Sequence, residues 1–137
     1  MTLVLVIDDN AGVRDALHLL LQDDGYTVVE DSDGATLLDY LRATLYGLVV
    51  LFDYRIPYLD TEAFLRQVVS EHDLAARHAF ICLTAIPHEL LPPICLALLA
   101  RLDAPLLMRP FDIDDLLAAI KQAEQRLQQQ ALKRGER

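Results

Sequence analysis

The stretch that decides the fold is LVLVIDD, residues 3–9, in which five apolar residues are followed by two carboxylates. A short, continuous apolar run with β-branched residues is typical of a parallel strand that helices cover on both faces. The pattern recurs twice, because the run 48–52 ends at Asp53 and the run 80–83 ends at Thr84. If these runs are neighbouring parallel strands, one edge of the sheet carries three acids and a hydroxyl.

Helical patterns alternate with the strand-like runs along the chain. We predict strands at 3–7, 26–29, 48–52, 80–83 and 106–108, and helices at 11–24, 34–44, 61–71, 93–102 and from 112 to at least 130. Five strands alternating with five helices indicate an α/β fold with a doubly wound parallel sheet. Ligands of such sheets bind at the carboxyl ends of the strands, where the three acids fall.

Length and composition favour one domain without a membrane span. The chain has 137 residues, 53% of them hydrophobic, and no apolar run approaches the ~20 residues that cross a bilayer. The apolar N-terminal run stops at Asp8 and has no charged segment before it, unlike a signal peptide. We therefore expect a cytoplasmic protein, in which Cys82 and Cys95 are small buried hydrophobes and not a disulfide.

The charge is divided unevenly between the body and the C-terminal end. The chain carries −9 in total and residues 121–137 carry +3, which leaves −12 on residues 1–120. A body this acidic repels a phosphate backbone, so we expect no direct nucleic-acid binding by it. Both lysines, Lys121 and Lys133, belong to the C-terminal end.

The clustered acids suggest phosphoryl chemistry with a metal. Carboxylates at one edge raise each other's pKa or recruit a cation, and oxygen ligands suit Mg²⁺. A carboxylate can attack a phosphoryl group to give an acyl phosphate, and the transfer then needs charge neutralisation. We expect Asp53 to be the nucleophile. The other predicted roles are Mg²⁺ binding by Asp8, Asp9, Asp53 and the backbone carbonyl of Arg55, hydrogen-bond donation by Thr84, and a facing positive charge from Arg109.

These motifs together resemble the receiver domain of two-component response regulators, over residues 2 to about 121. The matches are Asp8-Asp9, Gly25-Tyr26, Asp33-Gly34, Asp53 with Pro57 and Asp60, Thr84-Ala85, and Arg109-Pro110-Phe111-Asp112. The resemblance implies a flavodoxin-like sheet with strand order 2-1-3-4-5. It also implies that Asp53 is the phosphoacceptor, served by Mg²⁺, and that Thr84 is the switch hydroxyl. We expect a receiver domain at 1–121 and a helical extension or tail at 122–137.

The chain departs from the family at the switch positions. The family has a lysine where Arg109 stands, and no lysine precedes position 121. The switch aromatic of the family is Leu106 here, so a ring rotation coupled to Thr84 is excluded. Thr61 follows Asp60 where the family favours glycine. Arginine keeps the charge of lysine but is longer, planar and forked, and the two are not interchangeable.

Three functions remain open on the residues alone. The first is a phosphoacceptor receiver that takes a phosphoryl group from a histidine kinase or a histidine phosphotransfer protein and signals to a downstream protein or a missing output domain. The second is a receiver-like adaptor that works without phosphorylation. The third is a haloacid-dehalogenase-like phosphatase with Asp8 as nucleophile, which would need an acid where Asn10 stands. Neither receiver form is expected to be a turnover enzyme.

Three further features lead to expectations about surfaces and exposure. The helix at 93–102 is apolar nearly all round, so with the strand at 106–108 and the last helix it is a candidate homodimer or partner surface. The last helix places Ile113, Leu116, Leu117, Ile120 and Leu127 on one stripe, and its end is expected to be solvated. His72 and His78 fall in a predicted loop and are expected to be exposed.

Overall fold

The computed structural model describes residues 2–133 and 135 of the chain. One five-stranded parallel sheet has the order β2-β1-β3-β4-β5, as predicted. Its strands are β1 (Leu3–Ile7), β2 (Thr27–Asp31), β3 (Leu48–Asp53), β4 (Ala79–Thr84) and β5 (Leu106–Met108). The helices in the described part of the chain are α1 (Ala11–Asp23), α2 (Leu37–Ala43), α3 (Thr61–Ser70), α4 (His72–Arg77), α5 (Pro93–Arg101) and α6 (Ile113–Lys133).

Alternate residues of each strand pack into two separate cores, one on each face of the sheet. On one face, Val50, Phe52 and Phe80 pack beneath α2, α3 and α5. On the other face, Val49 and Leu51 pack beneath α1 and α6. Side chains of a strand point to opposite faces in turn, so a strand covered on both faces must be apolar at every position. This requirement explains the unbroken apolar runs that predicted the sheet.

A sixth helix and a buried histidine correct the prediction for residues 72–78. The short helix α4 follows α3 and buries Leu74. His72 is exposed as expected, whereas His78 is fully buried. Its Nδ1 accepts a hydrogen bond from the Leu48 backbone N–H at 3.1 Å, and its Nε2 lies 3.0 Å from the Leu41 carbonyl oxygen. The imidazole is buried because it satisfies two backbone groups that would otherwise lack a partner.

The end of α6 lies against the domain and is not simply solvated. Ala123 is buried, and Leu127 packs on the core beneath α1 and α6. The Arg126 Nη1 donates to the Leu102 carbonyl oxygen at 2.6 Å, just beyond the C-terminus of α5. Ile113 was predicted on the same apolar stripe of α6 as Leu116 and Ile120, and this was wrong, because its side chain is 51% exposed. The division at residue 121 stays a prediction, and positions 134, 136 and 137 of the expected tail lie outside the described residues.

Three expectations from composition can be compared with the structure. Cys82 and Cys95 are buried and unbridged, as predicted. The helix α5 buries Cys95, Leu98 and Leu99 and leaves Ala97 exposed, so one side of this apolar helix faces solvent. Within residues 2–133 and 135, we find no helix with both the length and the hydropathy needed to span a membrane.

Candidate functional site

The predicted site residues meet at the carboxyl edge of the sheet. The register pairs Ile7 with Phe52 and Asp53 with Leu83, which places the ends of β1, β3 and β4 side by side. Backbone hydrogen bonds continue past the strand ends, from the Asp8 N–H to the Asp31 carbonyl at 3.2 Å and from the Arg109 N–H to the Thr84 carbonyl at 2.7 Å. The first residues beyond β1 and β5 are therefore held on the same scaffold as Asp53 and Thr84.

Short polar side chains fix the loops that leave this edge. The Asn10 side chain caps α1 by accepting from the Val13 N–H at 3.0 Å, and Asp60 caps α3 by accepting from the Ala63 N–H at 3.1 Å. Such caps satisfy backbone donors that a helix N-terminus leaves without partners. The loops that carry Asp8 and Asp53 are thus anchored at both ends, by a strand and by a capped helix.

Asp8 is the most enclosed acid of the site. Its side chain is only 3% exposed. The Asp8 Oδ1 accepts from the Asn10 N–H at 2.9 Å, and its Oδ2 lies 2.6 Å from the Nη2 of Arg109. A buried carboxylate is costly unless it is paired and hydrogen-bonded, and both conditions are met here. Both carboxylate oxygens of Asp8 therefore have a partner, and one of these partners is the guanidinium of Arg109.

Asp53 is the last residue of β3, and its side chain is 15% exposed. Its Oδ1 accepts from the Arg55 N–H at 2.8 Å, and its Oδ2 lies 3.3 Å from the Arg109 Nη2. Burial raises the pKa of the Asp53 carboxyl above its ordinary value. The Arg55 N–H and the Arg109 charge oppose this rise in pKa, while Asp8 and Asp9 add to it. The carboxylate is held by its loop and destabilised by its surroundings.

Arg109 joins the two acids through one nitrogen. Its Nη2 contacts both Asp8 and Asp53, and its side chain is 24% exposed. The predicted positive group therefore faces the acids, and it does more than neutralise one of them. A cation in contact with two carboxylates offsets part of the repulsion between them.

The remaining predicted residues lie at the same edge with different surroundings. Thr84 is 1% exposed, and its Oγ1 accepts from the Ile86 N–H at 2.9 Å. Asp9 and Arg55 are exposed. Leu106, at the position of the family's switch aromatic, is half-buried and packs against the core beneath α2, α3 and α5.

The oxygen donors of this edge are of the type that Mg²⁺ prefers. Carboxylates and a backbone carbonyl suit a hard divalent cation, so the residue types fit the predicted metal. Across the described residues, however, no three acidic, histidine or cysteine side chains are gathered closely enough to hold a metal ion. The chemistry of the donors fits Mg²⁺, while the nitrogen of Arg109 contacts the oxygens that a metal would use.

Two contributions were not identified from the sequence. The Arg14 Nη1 donates to the Asp8 backbone carbonyl at 2.5 Å, which ties α1 to the end of β1. The Thr61 Oγ1 donates to the Tyr54 carbonyl at 2.6 Å, and Thr61 is buried. The departure from glycine at Thr61 was visible in the sequence, and the structure shows that its hydroxyl closes the loop after Asp53.

A flavodoxin-like sheet with paired aspartates and the positive side chain of an arginine at its carboxyl edge defines a receiver-type α/β domain. The chain belongs to the response regulator receiver domain family, whose profile matches residues 4–121. It is 34% identical over 126 residues to the transcriptional regulatory protein FixJ of Bradyrhizobium diazoefficiens, covering 88% of this chain and 58% of FixJ. The DNA-binding transcriptional regulator NtrC of Escherichia coli is 29% identical over 138 residues, covering 93% of this chain and 26% of NtrC.

Solved structures give the same result for the fold. A response regulator receiver domain protein from Clostridium thermocellum superposes with a TM-score of 0.71 at 27% identity, covering 96% of this chain and 98% of that one. The chain spans about a quarter of NtrC and just under three fifths of FixJ, so the comparisons concern the receiver part of those proteins. Family membership favours the receiver reading over the phosphatase alternative.

Proposed function

We propose that this chain is a phosphoacceptor receiver that accepts a phosphoryl group on Asp53 and signals through altered protein contacts. The observation that carries the proposal is the shared contact of Asp8 and Asp53 with the Nη2 of Arg109 at the carboxyl edge of the sheet. It brings a candidate nucleophile, a second acid and a cation within one site. Positioning and charge neutralisation are the main requirements of phosphoryl transfer.

The transfer step follows from the surroundings of Asp53. One carboxylate oxygen attacks phosphorus, the bond from phosphorus to the donor atom breaks, and the electron pair leaves with the donor. The Arg55 N–H orients the carboxylate through Oδ1. Burial raises the pKa of Asp53, so its ionised form is less stabilised than it would be in water. Reaction of the carboxylate transfers the negative charge from its own oxygens to those of the phosphoryl group, where a cation must compensate it.

The other side chains would serve the transferred group. Arg109 supplies a positive charge, and Thr84 offers a hydroxyl next to the strand that carries Asp53. Asp8, Asp9, Asp53 and the Arg55 carbonyl are the residues that would hold Mg²⁺. When bound, Mg²⁺ would neutralise charge that develops on the phosphoryl oxygens.

The proposed partners follow from the same chemistry. The donor would be a histidine kinase or a histidine phosphotransfer protein, and the chain itself would not turn over a substrate. A cytoplasmic location suits such a donor. The recipient of the signal would be a downstream protein or an output domain in a longer chain, because the −12 charge of residues 1–120 disfavours direct contact with nucleic acid. Self-association through α5, β5 and α6 remains a proposal of the same kind.

Intact mass measurement tests the proposal directly. The chain is incubated with acetyl phosphate and Mg²⁺, and one phosphoryl group adds about 80 Da. We expect the adduct in the wild type and in Asp73→Asn, which removes an exposed aspartate of α4. We expect no adduct in Asp53→Asn, and we expect hydroxylamine to release the wild-type adduct as an acyl phosphate. An adduct that persists in Asp53→Asn would overturn the assignment.

A receiver-like adaptor that works without phosphorylation is the second candidate. Two observations favour it: Leu106 replaces the switch aromatic, and Arg109 already contacts both acids. Beryllofluoride, which mimics a phosphoryl group on aspartate, separates the two functions. A phosphoacceptor receiver would show shifts of amide resonances around Thr84 and β5 when beryllofluoride and Mg²⁺ are added. An adaptor would give the same spectrum with and without them, together with no mass adduct.

A further inference from the structure

The carboxylates of Asp8 and Asp53 are oriented in the same way. Each uses its Oδ1 to accept a backbone N–H two residues further along, from Asn10 at 2.9 Å and from Arg55 at 2.8 Å. Each then presents its Oδ2 to the middle of the site. The two Oδ2 atoms are therefore the oxygens that the loops leave available for a cation.

One nitrogen of Arg109 contacts both of these oxygens. Its Nη2 lies 2.6 Å from the Asp8 Oδ2 and 3.3 Å from the Asp53 Oδ2. The Asp8 side chain is 3% exposed and that of Arg109 is 24% exposed, so water screens this contact only partly. Charge-assisted hydrogen bonds of this type are stronger than neutral ones.

We propose that Arg109 is an internal competitor for the divalent cation of this site. It contacts the two carboxylate oxygens that Mg²⁺ would need, so Mg²⁺ binding requires that Arg109 release them. The inference rests on the proposed function, because it concerns the metal that phosphoryl transfer would use. It adds that the arginine, at the position where the family has a lysine, weakens metal binding and keeps the two acids compensated without metal.

A lysine at this position would compete less effectively. Its ammonium stands on a side chain one bond shorter than the Nη2 of arginine, and it is a compact charge that keeps its own hydration. Because no lysine occurs before position 121, no other ammonium of the domain body can take this place. The competition is therefore a property of Arg109 itself.

Isothermal titration with MgCl₂ measures the competition without any phosphoryl donor. We expect Arg109→Gln to bind Mg²⁺ about tenfold more tightly than the wild type or tighter still, and Arg109→Lys to lie between them. Arg14→Gln is the matched control, because Arg14 contacts the Asp8 backbone carbonyl and not the Oδ2 atoms. It removes the same charge near the site, and its effect on Mg²⁺ affinity is expected to be clearly smaller.

Urea unfolding with and without Mg²⁺ gives an independent readout and monitors folding. Without metal, Arg109→Gln should be less stable than the wild type, because Asp8 stays buried and loses its counter-ion. At the same high Mg²⁺ concentration, this variant should be stabilised more than the wild type, since the stabilisation by a ligand grows with the logarithm of its concentration divided by its dissociation constant. If Arg109→Gln is too unstable to study, Arg109→Lys still tests the order of affinities.

The results separate this inference from the proposed function. Equal or weaker Mg²⁺ binding in both Arg109 variants overturns the competition, even when the wild type is phosphorylated on Asp53. An equal gain in Arg14→Gln and Arg109→Gln also overturns it, because the gain would then come from net charge. No Mg²⁺ binding in any variant overturns both the competition and the metal part of the proposed function.

Discussion

Replacing His78 should destabilise the domain strongly, although the residue lies far from the acids. The imidazole accepts from the Leu48 N–H at 3.1 Å, so its other nitrogen carries the proton and donates to the Leu41 carbonyl at 3.0 Å. His78→Leu keeps a side chain of similar size and leaves both backbone groups buried without these partners. Each such group costs about 1–3 kcal/mol, so we expect a loss of about 2–6 kcal/mol in the free energy of unfolding. A domain of this size has about 5–15 kcal/mol in total.

Urea unfolding followed by circular dichroism measures the loss. His72→Leu is the matched control, because His72 is exposed at the start of α4 and its replacement should change the free energy of unfolding by less than about 0.5 kcal/mol. A shift of the midpoint at unchanged slope would locate the effect in stability. If the two variants were equally stable, the reasoning that the histidine joins α2 to β3 would be refuted.

Three further predictions follow from the described contacts. Burial raises the pKa of Asp53 above its ordinary value, so the stability that its proton contributes is present at low pH and is lost as pH rises through the raised pKa. Asp53→Asn should therefore gain stability relative to the wild type as pH rises past the ordinary pKa of an aspartate, and a difference in urea unfolding that stays constant with pH would contradict this. Leu127→Ala should lower the free energy of unfolding by about 1–3 kcal/mol in the same assay. Leu132→Ala, at a 72% exposed position, should lower it by less than about 0.5 kcal/mol. Similar losses in the two variants would mean that the end of α6 does not pack on the domain. Thr61→Val removes the hydroxyl that bonds to the Tyr54 carbonyl and should cost about 1–2 kcal/mol, and a cost near zero would show that this bond does not hold the loop.

The strands could be predicted where burial leaves a continuous apolar pattern. The run at Leu3–Ile7 was predicted at its observed bounds, because the strand is covered on both faces. The second strand was predicted at 26–29 and is observed at Thr27–Asp31. It is an edge strand whose last two residues, Glu30 and Asp31, pair through the backbone with β1. Charged residues that pair only through their backbone add no hydrophobic pattern, so a prediction from hydropathy alone places the end of this strand too early.

The helix α4 and the burial of His78 were missed for a related reason. This helix has six residues, of which Leu74 alone is buried, so it has too few apolar positions for a helical period. Histidine is usually exposed or intermediate, and its burial depends on backbone partners from α2 and β3 that are 30 or more residues away. No local pattern encodes such a contact.

The candidate site could be predicted as a set of residues but not as a set of contacts. Asp53 and Thr84 end their strands, Asp8 and Arg109 directly follow theirs, and a parallel sheet brings strand ends together. The contact of a single Arg109 nitrogen with two carboxylates depends on the rotamer of a long side chain, which sequence spacing does not determine. The same holds for Arg14, whose side chain returns from α1 to the Asp8 carbonyl.

The long helix α6 connects the two ends of the domain. This helix of 21 residues begins four positions after Arg109 and is about 30 Å long. The Arg126 side chain hydrogen-bonds to the backbone just beyond the C-terminus of α5, at the edge of the sheet opposite to the acids. Ala123 and Leu127 also pack on the domain, so a single continuous helix, held to the body near its far end, joins the edge that carries the acids to the opposite edge.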